Sequence, residues 1–273
     1  MTKAAETHQH ADMSDPARWE QMIAFYEEQA HPFTSMFAED ALAPHDIGPA
    51  TRLLDVATGM GAAAFAAARR GARVTAIDFA AGMVDRVHAA GLANVEALQM
   101  DGQALDLPDA TFDISVSIFG AVLFPDWHAG LSEMARVTRP GGTAIVATWR
   151  NPNGAGTNLL LWEVRQRLFP DLPPPPRIGG LSELCEPDRL AAAMVEAGFV
   201  APKVRAATHD FQLKLATLDD ADRLLSLIPA WADMDSDARD LMLGEMMRRA
   251  GEARVGDHMP IPSTALIATA RKV

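Results

Sequence analysis

The sequence predicts an α/β protein built on a doubly wound, Rossmann-like parallel sheet. Its short apolar runs lack the alternation of half-exposed strands, which is typical of strands buried on both faces of a parallel sheet. These runs alternate with helical patterns along the chain, and this order predicts helices on both faces of that sheet. The clearest example is the run at 53–56, which passes through a glycine-containing turn directly into the Ala-rich segment 62–68.

The individual elements follow in order from the same pattern. Two amphipathic helices, 19–28 and 33–42, precede the first strand, and Pro32 marks a break between them because proline disfavours helix at the residue before it. The predicted strands are 52–57, 72–78, 95–100, 112–118, 143–149, one within 200–214, and 263–270, and the predicted helices among them are 62–70, 81–90, 127–138 and 187–197.

The composition indicates a cytoplasmic protein that binds neither nucleic acid nor a membrane. The 273 residues carry a net charge of −12 and few, scattered lysines, whereas nucleic-acid binding depends on clustered basic residues. No apolar run approaches the ~20 residues of a membrane span, and the polar residues 1–17 lack the apolar segment of a signal peptide. Cys185 is the only cysteine, so we expect no disulfide framework and no thiolate metal site. A small-molecule partner is the remaining expectation, and no metal is assigned.

A nucleoside-binding motif follows the first predicted strand. Gly59 and Gly61 allow a sharp turn and the close approach of a ligand, and the next helix offers free backbone N–H groups at its start. The second strand ends at Asp78, where nucleoside-binding βαβ units place the carboxylate that holds the ribose hydroxyls. The glycine pair alone would also fit a tight turn that binds nothing. Together with Asp78 it predicts a ligand that contains adenosine.

The residues around this motif favour S-adenosylmethionine (SAM) over a dinucleotide. The carboxylate of Asp55, at the end of the first strand, would repel a pyrophosphate but attract a sulfonium or an amino group. Asp101 follows the third strand, Phe-Asp begins the fourth, and Arg-Pro-Gly-Gly at 139–142 precedes the fifth. With these motifs and with Asp-Val-Ala-Thr-Gly-Met-Gly at 55–61, residues 50–149 resemble the class I SAM-dependent methyltransferases. They are most similar to the small-molecule group that includes the quinone-biosynthesis (UbiE-like) enzymes.

The resemblance implies SAM as the cofactor and a seven-stranded sheet whose last strand is antiparallel. It assigns Asp55, Gly59 and Gly61 to the methionine end of SAM. Asp78 is expected to accept hydrogen bonds from both ribose hydroxyls. Tyr26, the only tyrosine, lies in the N-terminal helix that often closes over SAM in related proteins, and it contacts the cofactor carboxylate or simply packs there.

The same resemblance assigns a second group of residues to the adenine end of the cofactor. Asp101 is expected to accept from the adenine amino group, with the backbone of Gly102 and Gln103 beside it. Met83 is expected to pack on the purine, and Ile118 completes the set of cofactor contacts. All of these residues follow or flank predicted strand ends, which meet at one edge of a parallel sheet.

Two stretches, 151–184 and 215–258, are longer than the sheet requires. Loops at the carboxyl ends of parallel strands lie where ligands bind, so we expect both stretches to fold over the cofactor as a lid. Their apolar residues either pack the lid onto the sheet or line a cavity for a small, largely apolar or aromatic acceptor. The expected divisions are a mobile tail (1–17), N-terminal helices with the SAM-binding core (18–150), an insertion, helix and strand six of the same sheet (151–214), a helical cap (215–258) and the final strand (259–273).

The predicted activity is in-line methyl transfer, in which the protein mainly positions the reactants and excludes water. A general base assists only when the acceptor is a hydroxyl group or an acidic carbon. The candidate bases are His31, His128, His209 and His258, and His209 is the best placed of them because it lies near the end of strand six and beside Asp210. A surface or capping role for His209 is the alternative.

Two other functions are compatible with parts of this pattern. One is a SAM-binding regulatory protein without transferase activity, which a blocked acceptor cavity would favour. The other is an NAD(P)-dependent oxidoreductase on a similar nucleotide-binding fold. Against the oxidoreductase, the sole tyrosine is not part of a Tyr-x-x-x-Lys pair. The sequence leaves open whether the methyl group goes to oxygen, nitrogen, sulfur or carbon.

Overall fold

The fold is a seven-stranded sheet with helices on both faces. A computed structural model describes residues 15–174, 178–226 and 228–273, without the side chains of residues 223, 224 and 229. The strands are β1 (Arg52–Val56), β2 (Arg73–Asp78), β3 (Val95–Gln99), β4 (Phe112–Ile118), β5 (Thr138–Trp149), β6 (Phe199–Lys214) and β7 (His258–Lys272). Their order is β3-β2-β1-β4-β5-β7-β6, and β7 runs antiparallel to both of its neighbours. The predicted fold class is therefore confirmed.

The helices surround this sheet and extend beyond it at one edge. In chain order they are α1 (Pro16–Phe25), a π-helical turn (Tyr26–Ala30), α2 (His31–Leu42), α3 (Ala62–Arg69), α4 (Ala81–Ala89), α5 (Trp127–Val137), α6 (Thr157–Leu168), α7 (Gly179–Glu183), α8 (Pro187–Glu196), α9 (Ala221–Leu225), α10 (Pro229–Ala232) and α11 (Ser236–Ala253), with 3₁₀ turns at Ala121–Leu123 and Leu215–Asp220. In the described part of the chain, no helix is long and apolar enough to cross a membrane.

Strand β1 shows why its sequence lacks alternation. Leu53 and Leu54 are both fully buried, and they belong to separate apolar clusters. Because successive side chains of a strand point to opposite faces, these clusters lie on the two sides of the sheet. The sheet is thus covered on both faces, and its parallel strands β1, β2 and β4 end at a common edge.

The antiparallel pair of strands β6 and β7, which the cap connects, is longer than the sequence predicts. Strand β7 begins at His258 rather than at 263 and includes Pro260 and Pro262. Its pairing with β5 ends at Ala265, so the first part of β7 pairs with β6 alone. A proline without an N–H group is tolerated there because only one side of the strand needs hydrogen-bond donors.

The predicted break between the two N-terminal helices is wrong. Helix α1 passes through the π-helical turn into α2, and the backbone N–H of His31 donates to the carbonyl of Tyr26, five residues earlier. Pro32 lies in the first turn of α2, where the missing N–H costs little. The wider π turn accommodates the proline without ending the helical segment.

The second insertion is a set of helices whose apolar faces join the main core. The sequence of this stretch (215–258) has helical patterns at 218–227 and 235–249; the first is divided into the 3₁₀ turn and α9, whereas the second corresponds to α11. Trp231, Met242 and Met246 are at most 2% exposed and share a cluster with residues of α2 and the sheet. Leu241 is 60% exposed and faces solvent. Residues 1–14 of the expected tail, residues 175–177 of the first insertion and residue 227 of the cap lie outside the described residues.

Candidate functional site

A cavity of about 450 Å³ lies at the common edge where β1, β2 and β4 end. Nine of the ten residues predicted to hold the cofactor line this cavity, and Gly61 is the exception. Helix α1 and the π-helical turn border it on one side, and the cap contributes Leu225 and Ile228. The structure therefore brings together the residues that the sequence assigned to SAM from segments that are far apart in the chain.

Asp55 orders the loop between β1 and α3. Its Oδ2 accepts a hydrogen bond from the Thr58 hydroxyl at 2.7 Å and another from the backbone N–H of Ala64 at 2.9 Å. The side chain is almost completely buried, and this burial raises its pKa to about 7, although both hydrogen bonds oppose the shift. The residue thus shapes the loop in addition to lining the cavity.

Asp78 joins the end of β2 to the glycine loop. Its Oδ2 accepts from the backbone N–H of Gly59 at 2.9 Å, and its Oδ1 accepts from that of Ala80 at 3.0 Å. Burial raises the pKa of Asp78, and the backbone donors work in the opposite direction. Each carboxylate oxygen retains lone-pair capacity for a further donor, as ribose hydroxyls would require.

The two glycines of the loop have different roles. Gly59 has a φ of +53°, and a Cβ at this position would meet no atom within 4 Å, so the space beside it stays open. Gly61 has a φ of +86°, and a Cβ there would lie 2.7 Å from the Phe65 ring. Gly61 is therefore required by the turn and by the packing of Phe65. Gly61 itself does not line the cavity, and its contact with the cofactor stays a prediction.

The predicted adenine end is held together by side chains that contact one another. Asp101 Oδ1 accepts from both the backbone and the side-chain amide of Gln103, at 2.9 and 3.0 Å. The side-chain oxygen of Gln103 in turn accepts from the backbone N–H of Asp126 at 2.8 Å. Phe124 lines the cavity and lies so close to Gly102 that a Cβ on this glycine would be 2.5 Å from its ring. Met83 is buried in the same wall.

The N-terminal helical segment closes the side of the cavity next to the glycine loop. Tyr26 packs with Trp19, Met60 and Met83, and its pKa is raised by burial and by the charge of Asp78. Trp19 and Met22 also line the cavity, and neither was predicted as a site residue. The signal was present, because residues 19, 22 and 26 repeat at helical spacing and so share one face. We call the half of the cavity that is lined by Tyr26, Asp55, Gly59, Asp78 and Asp101 the loop end.

The other half of the cavity, the aromatic end, is lined by Phe33, Phe119, Trp149 and Phe211, together with the cap residues. The Phe119 and Trp149 rings stack with centroids 3.7 Å apart, and Phe33 lies parallel to Trp149 on the same stack. Phe119 has a φ of +65°, which is uncommon for a residue other than glycine. Backbone strain of this kind is found preferentially at functional sites. The aromatic end is open to the loop end, so one cavity has a polar and an apolar half.

The structure places His209 outside this cavity, which contradicts its predicted role as the general base. Its Nε2 lies 2.8 Å from Asp40 Oδ2, and Asp210 is not its partner. Phe37 packs against His209 at 4.8 Å and against Trp149 at 5.1 Å, so it separates the imidazole from the aromatic end. His209 joins β6 to α2. The histidine that lines the cavity is His31, at the end of the π-helical turn.

The loop end fits SAM by its shape and charge. The space beside Gly59 would be filled by any side chain at that position. Asp55, Asp78 and Asp101 give the cavity three carboxylates, which attract the sulfonium and amino groups of SAM and repel a pyrophosphate. Tyr26 and Met83 supply apolar surface beside these carboxylates. These carboxylates and this apolar surface together suit a cationic ligand that contains adenosine.

Comparison with known proteins identifies similar sequences over the same region. The model of the family described as methyltransferase domain matches residues 53–142. An uncharacterised protein of Mycobacterium tuberculosis is 34% identical over 152 residues, which are 51% of this chain and 56% of that protein. Demethylmenaquinone methyltransferase of Corynebacterium efficiens is 37% identical over 126 residues, which are 46% of this chain and 53% of the enzyme. The chain spans about half the length of the curated relatives it matches.

Solved structures share the fold over a larger part of the chain. The YcgJ protein of Bacillus subtilis superposes with a TM-score of 0.56 and covers 89% of this chain and 99% of its own. Its sequence identity to this chain is 18%, so the match concerns the fold alone. The fold therefore extends beyond the segment in which sequence similarity is detected.

Proposed function

We propose that this chain, whose residues 53–142 match the methyltransferase domain family, is a class I SAM-dependent methyltransferase that methylates a small, largely apolar or aromatic acceptor. The observation that carries this proposal is the continuity of the loop end with the aromatic end in one cavity. A cofactor held at the carboxylates and an acceptor held between aromatic rings would then face each other. The similarity to demethylmenaquinone methyltransferases agrees with such an acceptor.

The residues of the loop end have separate tasks in this proposal. Asp78 accepts hydrogen bonds from the ribose hydroxyls, and Asp101 accepts one from the adenine amino group. Asp55 keeps the loop in shape and places a negative charge near the methionine end. Bound SAM supplies a methyl group on a positively charged sulfur, which is a good leaving group. The protein then contributes orientation and the exclusion of water rather than covalent chemistry of its own.

The aromatic end supports an acceptor of low polarity. Phe33, Phe119 and Trp149 form a stack of parallel rings, and Ile228 faces the same space from the cap. A flat ring buried against such a surface gains free energy from apolar contact and from offset or edge-to-face ring geometry. A highly charged acceptor would lose its hydration there without compensation. The proposal therefore favours aromatic or quinoid molecules over amino acids and sugars.

The experiment that tests this function has two parts. Calorimetry with SAM, and separately with NADH, measures which cofactor binds, and we expect binding of SAM only. Turnover of SAM is then followed with a panel of phenols, quinols, amines and small acids, and we expect methylation of at least one aromatic member. SAM binding without turnover of any acceptor would instead favour a regulatory SAM-binding protein. Binding of NADH in place of SAM would contradict the assignment of the cavity.

A further inference from the structure

We infer that His31 is the general base of the proposed methyl transfer, and that the acceptor therefore carries an acidic hydrogen on a hydroxyl group or an activated carbon. This inference rests on the proposed function and adds to it the chemical class of the acceptor. It assigns a catalytic role to a residue of the N-terminal helical segment. The role predicted for His209 is thereby assigned to a histidine that borders the cavity.

The π-helical turn brings His31 to the place where the two ends of the cavity meet. The hydrogen bond from the His31 N–H to the Tyr26 carbonyl spans five residues, so the two residues are one π-helical turn apart. Both residues line the cavity. Tyr26 packs at the loop end with Met83, whereas Phe33, two residues after His31, stacks on Trp149 at the aromatic end. An acceptor atom that meets the transferred methyl group must lie at this same junction.

The imidazole of His31 is available to a ligand. Its ring contacts the Phe65 ring at 6.2 Å in an edge-to-face arrangement, and Phe65 itself covers Gly61 in the loop. Among the residues that the structure describes, none forms a hydrogen bond with either ring nitrogen of His31. This contrasts with His209, whose Nε2 is held by Asp40. A ring nitrogen of His31 is therefore free to receive a proton from a molecule in the cavity.

The charges around His31 suit a base that starts neutral. Burial lowers the pKa of His31 below its ordinary value, and the nearby Arg69 guanidinium on α3 lowers it further. The ring is thus neutral near pH 7 and can accept a proton. Arg18, Tyr26 and the carboxylates of Asp55, Asp78 and Asp101 also line the cavity. The negative charge of the ionised carboxylates would stabilise the imidazolium that forms during the reaction.

The proposed step balances without a further reactant. The O–H or C–H bond of the acceptor breaks, and its proton is transferred to a ring nitrogen of His31. The electron pair left on the acceptor atom forms the new bond to the methyl carbon. The bond between that methyl group and sulfur breaks at the same time, so the sulfur leaves as a neutral thioether. An acceptor without an acidic hydrogen, such as a tertiary amine, would not need His31.

The test compares His31→Gln with the matched variant His209→Gln. Glutamine keeps a hydrogen-bonding side chain of similar reach but does not titrate. For the acceptor that the panel identifies, kcat and KM are measured between pH 5 and 9, and SAM affinity is measured by calorimetry. We expect His31→Gln to lower kcat by about 100-fold or more, with KM and SAM affinity changed by less than about threefold. The fall of kcat toward low pH, where the imidazole becomes protonated, should disappear in this variant only.

Each other outcome overturns the inference in a recognisable way. An unchanged kcat in His31→Gln would show that His31 is not the base. An acid limb that persists in this variant and disappears in Asp55→Asn would assign the titration to Asp55 instead. A loss of SAM affinity of more than about tenfold would make His31 a cofactor contact. If the wild-type protein binds SAM but methylates nothing, the proposed function itself fails, and this result differs from a defect confined to His31→Gln. Direct titration of the His31 ring by NMR, assigned by its absence in the variant, checks the neutral state without turnover.

Discussion

Asp78 Oδ2 and the backbone nitrogen of Gly59 are 2.9 Å apart, so the carboxylate at the end of β2 holds the loop that follows β1. Through Oδ1, the same carboxylate also accepts from the backbone of Ala80 at the start of α4. One side chain therefore orders two chain segments and presents its remaining lone pairs to the cavity. Stability and cofactor binding are linked at this residue.

Replacement of Asp78 is expected to weaken SAM binding at some cost in stability. In Asp78→Asn the side-chain amide replaces one oxygen, so one backbone N–H loses its acceptor and the ribose loses a charged partner. We expect SAM affinity to fall by at least about tenfold and the free energy of unfolding to fall by about 1–3 kcal/mol. Calorimetry and denaturant unfolding measure the two effects separately.

Asp113→Asn is the matched control for this variant. Asp113 also accepts a backbone N–H, that of Arg52 at 2.7 Å, together with the Arg139 side chain at 2.6 Å, but it lies at the start of β4. We expect a similar loss of stability without a change in SAM affinity. Equal losses of affinity in both variants would show that the effect of Asp78→Asn is a general consequence of destabilisation.

Gly61→Ala is expected to destabilise the protein more than Gly91→Ala. Both glycines have positive φ, but a Cβ at Gly91 meets nothing within 4 Å, whereas at Gly61 it would overlap the Phe65 ring. The backbone strain alone costs about 1 kcal/mol, and forced displacement of a packed ring adds about 1–3 kcal/mol. Thermal or urea unfolding of the two variants measures the difference. Equal stabilities would mean that Phe65 moves aside freely.

SAM affinity is expected to rise with pH up to about 7 and then become constant. Burial raises the pKa of Asp55 to about 7 from 3.8, so in the absence of ligand the folded protein holds a proton that the unfolded chain has lost between these values. Stability without ligand therefore decreases as pH rises through this range. A cationic cofactor favours the ionised carboxylate and so releases that proton.

The proton release at Asp55 is measurable by calorimetry in buffers with different ionisation enthalpies. Below pH 7 we expect affinity to change by up to about tenfold for each pH unit. Asp55→Asn keeps an acceptor for Thr58 and Ala64 but cannot ionise, so its SAM affinity should be lower and nearly independent of pH between 5.5 and 7.5. A variant that retains the full pH dependence would assign the proton to another group, with Asp78 the next to examine.

Filling the aromatic end is expected to separate cofactor binding from methyl transfer. Ile228 borders the cavity from the cap, so the larger side chain in Ile228→Trp would occupy the space that the acceptor needs. We expect turnover to fall by at least about tenfold, equivalent to about 1.4 kcal/mol, while SAM affinity stays within about threefold. Leu241→Trp, at a position on the same cap that is 60% exposed, is the control and should leave both unchanged. Full turnover by Ile228→Trp would place the acceptor elsewhere.

The cap is more closely joined to the core than a detachable lid would be. Trp231 is 2% exposed, Met246 is fully buried, and both belong to the cluster that contains Phe37 of α2. A deletion of residues 215–258 would expose this apolar surface to water. The cap therefore contributes to folding as well as to the cavity wall. We expect the cap to be more mobile than the central strands when no ligand is bound, and hydrogen exchange measures this difference.

The sheet, and the residues that gather at the loop end, could be predicted from local sequence patterns. The strands around Asp55 and Asp78 are continuous apolar runs that end in acids and glycines, and this local pattern fixes both the fold and the edge at which the acids gather. The family match at 53–142 agrees with the class I methyltransferase resemblance taken from these motifs, and SAM is the cofactor that this resemblance implies. Gly61 shows the limit of this inference, because a motif position does not reveal which way the backbone faces.

The set of side chains at the aromatic end, and the histidine that faces the cavity, could not be predicted in this way. The aromatic end combines four separate segments of the chain, which contribute Phe33, Phe119, Trp149 and Phe211. Their contacts depend on how α2, the ends of β4 and β5, and strand β6 pack together. His209 has an acid beside it in the sequence, but its ring contacts Asp40 instead. His31 reaches the cavity because a π-helical turn replaces the expected break before proline. Side-chain direction of this kind depends on contacts between distant segments, which local sequence patterns do not encode.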